Sequence, residues 1–324
     1  MRVLMIGGTV FIGRATAVEL VTAGHEIAFL HRGTHEPNDL PDATHIHVDR
    51  SEIASAKDQI DAFAPDAVLD NMAMVAKDAE TALAVIGDRR LLVTSSDDVY
   101  RAYTYVMKGE AAEPVPIDET SPVRDERYPY RGQGGPPWTN DYDKLDVEER
   151  YLEHDATVCR LPMVYGPRDG QRREWFILRR VAAGRKQIPV GSGSWLSAKG
   201  FVDDIARGLR LALESDDAKG EIFNLGETRT YPMSQWAEMI LEAAGSDAEL
   251  VRVRDDQLPD DLGVTGTIPQ HLLVSSAKAQ RMLGFTDTDP REALKTSVEW
   301  HLANPPQIED PGFDADDTAL ALAV

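Results

Sequence analysis

The opening of the chain constrains it most. Val3-Leu4-Met5-Ile6 is a short apolar run. It breaks into Gly7-Gly8-Thr9-Val10-Phe11-Ile12-Gly13, and a helical pattern runs from Arg14 to Ala23. Strand, glycine turn and helix in that order aim the free N–H groups and positive dipole end of a helix at a phosphate. Small residues suit such a turn because a diphosphate must approach bare backbone. The alternative is a tight strand-to-helix turn with no ligand.

The same strand-and-helix pattern then recurs along the chain. Glu26–His31, Ile46–Asp49, Ala67–Asn71, Arg90–Ser95 and Thr157–Leu161 read as further strands. Helical stretches fall between most of them, at Arg14–Ala23, Ile53–Ala62, Ala76–Ile86 and Asp141–Glu153. This alternation predicts an α/β fold, a doubly wound parallel sheet covered on both faces. Lys108 to Pro137 is rich in Pro, Gly and charge and is expected to be a long loop over the site. After Gly166 the pattern changes to helices at Trp175–Ala183, Val202–Leu213, Trp236–Ala244 and Ala277–Leu283, with a strand at Glu221–Leu225. Asp289-Pro290-Arg291-Glu292 has the cap, N1 proline and returning carboxylate of a helix start. The expected division is a first domain of residues 1–166 plus about 201–226 and a smaller lobe of 167–200 plus 227–303. Residues 304–324 are expected to form a flexible acidic tail.

Bulk properties narrow the function. A formal charge of −21 repels a nucleic-acid backbone and makes such a partner unexpected. The acidity fits solvation in a halophilic, salt-rich cytoplasm and fits ordinary solubility equally. One cysteine, Cys159, permits no disulfide framework. Without a long apolar span, the expectation is a soluble, cytoplasmic protein and no membrane partner. His45, His47 and Asp49 alternate and would share one face of a strand. A polar strand face accounts for them better than a metal does, so no metal site is assigned. At the end of the second strand stand His31 and Arg32, where an acidic residue would favour NAD. A guanidinium there favours a 2′-phosphate, so NADP is preferred over NAD as the cofactor.

Further segments complete a set: Thr94-Ser95-Ser96-Asp97-Asp98-Val99-Tyr100, Asn140-Asp141-Tyr142-Asp143-Lys144, Arg160-Leu161-Pro162-Met163-Val164-Tyr165-Gly166-Pro167, Phe201-Val202-Asp203-Asp204 and Phe223-Asn224-Leu225-Gly226. With the glycine turn, they resemble the extended short-chain dehydrogenase/reductase family, the NAD-dependent epimerase/dehydratase group, from Met1 to about His301. The resemblance implies a Rossmann-type sheet, a smaller C-terminal substrate lobe and an NAD(P)-dependent oxidoreductase acting on a sugar or nucleotide-sugar. It implies a catalytic serine, tyrosine and lysine, carried over here to Ser96, Tyr142 and Lys144. The lysine would lower the phenol pKa, since a free phenol is a poor base at neutral pH. For the cofactor it implies Gly7, Gly8, Thr9, Phe11, Ile12, Gly13, Arg32, Asp49, Arg50, Ala73, Tyr142, Lys144 and Pro162, with the Asp70-Asn71-Met72-Ala73 backbone beside it. It also implies a homodimer through the helix from Tyr142 to Glu153 and a helix beside it.

The chain departs from the family in three places. The family spaces its tyrosine and lysine four apart on one helix face, whereas Lys144 comes two residues after Tyr142. Lys144 serves if the helix begins only after Tyr142. Val10 stands where the family commonly has its middle glycine. The Gly-Gly-Thr-x-Phe-Ile-Gly form resembles an atypical branch, some members of which bind the nucleotide without the usual active site; chloroplast stem-loop RNA-binding proteins belong to it. The alternative function is therefore a non-catalytic NAD(P)-binding regulatory or RNA-associated protein. Finally, no arginine stands just before the Val-Asp-Asp segment to grip a substrate diphosphate, which leaves Lys199, Arg172 and Arg173 as candidates.

Overall fold

The computed structural model describes residues 1–307 and 311–323. Strands β1 (Arg2–Ile6), β2 (Glu26–His31), β3 (Thr44–His47), β4 (Ala67–Asp70), β5 (Arg90–Ser96) and β6 (Thr157–Leu161) lie in one sheet. After β7 (Met163–Tyr165), β8 (Gln187–Val190) and β9 (Lys199–Phe201), the chain returns to that sheet as β10 (Ile222–Asn224). β11 (Glu249–Arg252) pairs with β8, and β7 pairs with β9. The central sheet runs β10-β6-β5-β4-β1-β2-β3, and its pairings are all parallel. This is the parallel sheet expected from the alternation, in the Rossmann-type order that the resemblance implies. Its strand order reverses between β1 and β4, which opens a crevice beyond their carboxyl ends.

The helices are α1 (Phe11–Thr22), α2 (Lys57–Phe63), α3 (Ala76–Ile86), α4 (Arg101–Lys108), α5 (Lys144–Leu152), α6 (Trp175–Ala182), α7 (Val202–Glu214), α8 (Met233–Ala243), α9 (Ala277–Leu283), α10 (Pro290–Ala303) and α11 (Asp314–Ala321). The unbroken apolar run of β1 is explained by burial on both faces. Val3 and Met5 face one core, shared with Leu20 of α1 and Leu209 of α7. Leu4 and Ile6 face the other, shared with Ala82 of α3 and Val147 of α5. α1 packs on α7, and α3 packs on α5. In the region expected as the second lobe, α6, α8 and α10 pack on one another.

Several boundaries differ from the sequence expectation. β3 ends at His47 because Asp49 caps a tight turn, its carboxylate accepting from the Ser51 N–H. α4 lies outside the helices expected from the pattern; it precedes the long loop and closes on Gly109 at φ +68°. The helix expected from Asp141 begins at Lys144, because Asp143 is extended and caps it. The expected loose tail is corrected for residues 314–321, which form α11 with Asp316 buried. Asp316 is drawn in by Arg180, which has no exposed surface and is held by Asp316 and Asp261 together. Among the described residues, no helix is long and apolar enough to cross a membrane.

Candidate active site

The glycine turn joins β1 to α1 at the reversal point. Gly7 and Gly8 adopt φ +78° and +116°, and a Cβ on Gly13 would lie 2.2 Å from the Gly8 Cα. Only glycine fits these places. Val10 is extended at φ −132° and half-exposed, so its position needs no glycine. Thr9 is buried beneath the turn, and Phe11 and Ile12 pack against the core. No side chain caps α1, and its first turn holds no acid. The first N–H to close a helical bond here is that of Arg14, on Val10 O at 3.2 Å. The amides before it form a positive mouth that lacks an internal acceptor. At the end of β4, the carboxamide Nδ2 and Oδ1 of Asn71 are buried without a protein partner. An uncapped helix mouth and an orphaned buried amide, both at the reversal point, fit a dinucleotide.

The carboxyl end of β5 carries the titratable groups. Ser96 caps a short turn, its Oγ accepting from the Asp98 N–H at 3.2 Å. That turn buries Asp98. Its Oδ2 accepts from Tyr142 Oη at 2.8 Å and from Tyr130 Oη at 3.1 Å. Tyr130 comes from the long loop, which is pinned by a buried pair between Arg124 and Asp143 at 3.1 Å. Burial pushes the Asp98 carboxyl above its ordinary range, although the two phenols and Arg124 oppose this. Burial and then Asp98 hold the Tyr142 phenol well above 10, while Ser96 pulls it down. Burial, with Asp98 beside it, pushes Asp97 up to about 7. Ser96, Tyr142 and Tyr130 therefore cluster around the buried Asp98, with Ser96 and Tyr130 half-buried. Sequence reasoning names only the first two; the Asp97-Asp98 pair is visible in the motif, but Tyr130 carries no signal.

Lys144 is the first residue of α5, so the spacing rule for two residues on one helix does not apply to it and Tyr142. It is buried, and Nζ donates to Ala73 O at 2.7 Å and to Thr94 O at 3.0 Å. Burial pulls the ammonium down to about 8, with Asp70 and Asp98 pulling the other way. The cation thus sits at the ends of β4 and β5, held by carbonyls rather than by the phenol. Four residues into α5, Glu148 accepts from Ser95 Oγ and from both sides of the Arg160 fork, fixing the helix to the sheet.

Other expected residues divide by location. Arg32 and Asp49 are exposed at the rim beyond β2 and β3. Pro162 is buried beside Gly200 and Gly226. Arg50 is committed to the interior: it forks onto Asp70 and bonds the Asp78 carbonyl. A guanidinium held this way braces the end of β4. The candidate substrate cations also have internal partners. Lys199 lies buried over the Trp236 ring at 4.6 Å, Arg173 bonds Val164 O, and Arg172 bonds Asn304 O.

Comparison with known proteins agrees with this architecture. The model of the NAD dependent epimerase/dehydratase family matches residues 3–226. The chain is 26% identical to the chloroplast stem-loop binding protein of 41 kDa b from Arabidopsis thaliana, covering 99% of this chain and 84% of that one. The crystal structure of UDP-glucose 4-epimerase with UDP-glucose from Thermotoga maritima superposes with TM-score 0.67 at 20% identity, over 94% of this chain and 100% of that one. The dTDP-glucose 4,6-dehydratase from Bacillus anthracis, in complex with NAD, gives TM-score 0.70 at 16% identity, over 94% and 97%. With a matched segment that takes in the glycine turn, the β5 cluster and α5, the chain belongs to the NAD dependent epimerase/dehydratase family.

Proposed function

We propose that this protein is an NAD(P)-dependent enzyme that oxidises, and in an epimerase- or dehydratase-type cycle re-reduces, a hydroxyl-bearing carbon of a nucleotide-linked sugar. The carrying observation is the buried contact of Tyr142 Oη with Asp98 Oδ2 at 2.8 Å, with Ser96 beside the same phenol. A phenol held above its ordinary pKa does not serve alone as a base at neutral pH. A carboxylate with a raised pKa, bonded to that phenol, does. The substrate hydroxyl passes its proton to Tyr142 Oη as Tyr142 passes its own to Asp98. The return step runs the relay backwards. Ser96 orients the reacting oxygen.

Hydride acceptance is the chemistry that NAD(P) supplies when bound. The amides at the mouth of α1 would hold its diphosphate, with Asn71 completing the cradle. Lys144 and the Ala73 backbone would meet the ribose on the nicotinamide side. Arg32 at the rim favours a 2′-phosphate, and with it NADP. Pairing of two copies through α5 and the adjacent α3 belongs to the same reading. The formal charge of −21 opposes a nucleic-acid partner, which places the non-catalytic alternative second.

The test is calorimetric titration with NAD and NADP, followed by assay of UDP- and dTDP-hexoses. Tyr142→Phe is expected to abolish turnover while leaving nucleotide affinity nearly intact. Binding of neither dinucleotide would overturn the reading. Unchanged turnover in the variant would remove Tyr142 from it.

A further inference from the structure

A separate cluster lies at the carboxyl ends of β2 and β3. The strands pair in parallel with Phe29 opposite His45 and His31 opposite His47. Strand periodicity places His31, His45 and His47 on one face. The loop between the strands then folds Glu36 back onto them. Its Oε1 contacts His47 Nε2 and lies 3.4 Å from His31 Nε2 and 3.6 Å from His45 Nδ1. His31 Nε2 and His45 Nδ1 are 2.9 Å apart. The four donor atoms lie within 4.8 Å of one another.

We infer that Glu36, His31, His45 and His47 form a binding site for a transition-metal dication, zinc in the first instance. A tetrahedral zinc ion with ligands at about 2.0–2.1 Å holds its donor atoms roughly 3.3 Å apart. The observed spacings bracket that value. Three imidazoles and one carboxylate suit zinc and its neighbours in the transition series; magnesium and calcium prefer all-oxygen shells. The His31 side chain is nearly buried, whereas that of His47 is half-exposed, so an ion has a way in from one side.

Proton placement sets the order of events. The Gly33 N–H donates to His31 Nδ1 at 3.2 Å. The metal-free ring therefore carries its proton on Nε2 and donates it to His45 Nδ1. The contact of His47 Nε2 with Glu36 Oε1 puts a proton on that ring nitrogen too, because a carboxylate only accepts. Glu36 and His45 therefore make the first bonds to the ion, and His47 joins when its Nε2 proton moves to Nδ1. His31 joins when its proton moves to Nδ1 and the Gly33 contact opens.

The experiment uses the untagged full chain, stripped with chelator. Titration with Zn2+ by calorimetry, and with Co2+ by visible absorption, should each show one equivalent bound. The Co2+ spectrum should have the intense bands of a tetrahedral site. His45→Gln and His47→Gln should each weaken Zn2+ binding by roughly tenfold or more, as loss of a ligand or its support does in other sites. His35→Asn removes a nearby histidine outside the cluster and should leave the affinity unchanged. Far-ultraviolet dichroism of each variant separates loss of the site from loss of the fold. Absence of stoichiometric binding by the folded chain, or equal affinity in folded His45→Gln and His47→Gln, would overturn the inference.

Discussion

Two buried carboxylates in this molecule differ in one respect. Asp70, at the end of β4, accepts from Tyr151 Oη at 2.6 Å. Asp98, beyond β5, accepts from Tyr142 Oη at 2.8 Å. Both lose nearly all contact with water. Asp70, however, has a guanidinium forked onto both oxygens, and that pair holds its carboxyl below the usual range against the cost of burial. Arg124 donates to the Asp98 backbone carbonyl at 2.6 Å, but its nearest nitrogen to the Asp98 carboxylate is 3.9 Å away and is spent on Asp143. Burial therefore wins at Asp98 and its carboxyl rises. A Tyr–Asp contact whose carboxylate a guanidinium forks onto stays ionised as an anchor, whereas the unforked one at Asp98 suits the proposed proton transfer.

The sharpest way to break the contrast is Asp98→Asn. It keeps the shape and removes the acceptor, so turnover should fall roughly a thousandfold while dinucleotide affinity holds, which is the scale of a lost general base. A smaller loss in single-turnover kinetics would place the base elsewhere. Next comes Arg50→Met, which strands Asp70 without its partner. Breaking a buried pair from one side costs about 3–5 kcal/mol, read by urea denaturation at neutral pH. A loss below about 1 kcal/mol would make Asp70 and Asp98 alike after all.

The pH dependence separates the two sites by sign. Asp97, beside Asp98, is raised to about 7, so the folded chain holds a proton that the unfolded chain releases near pH 4. Stability from this group is fully present below about pH 4 and is lost as pH rises toward 7. Asp70 is lowered, so its contribution is present above about pH 4 and is lost as pH falls through its depressed folded value. Asp97→Asn should flatten the first slope and leave the acid limb in place; a slope that survives would move the titration to another group. The smallest effect is expected from Tyr130→Phe. It removes one of two donors to Asp98, which costs roughly three- to tenfold in rate and moves the ascending limb of the pH–rate profile upward. A limb that moves downward would contradict the bond.

Local chemistry makes part of this legible. The glycine turn, the parallel alternation and the cap at Asp289 are set by neighbours in sequence, and the chain pattern shows them. Asp289 indeed accepts from the Arg291 N–H at the start of α10. The Tyr142–Lys144 spacing is readable only as a choice, because the answer turns on one extended residue, Asp143. Periodicity cannot say which acid of Asp97-Asp98 turns toward the phenol, since both sit in a turn beyond a strand. Tyr130 enters from a loop with no regular period. His31 and Glu36 escape notice as companions of His45 and His47 because strand register and loop closure, not spacing, bring them together.

The Arg180 knot has a practical consequence. Three pieces of chain that are remote in sequence meet on one guanidinium, and α11 supplies the acid with the least exposure. A stop codon placed ahead of Asp314 would therefore not trim an ornament. It would leave Asp261 as the remaining acid on Arg180 among the described residues, uncover that guanidinium, and loosen α6 and the turn at Asp260–Thr265 together. Expression tags or fusion partners at that terminus should be spaced so that α11 can still seat.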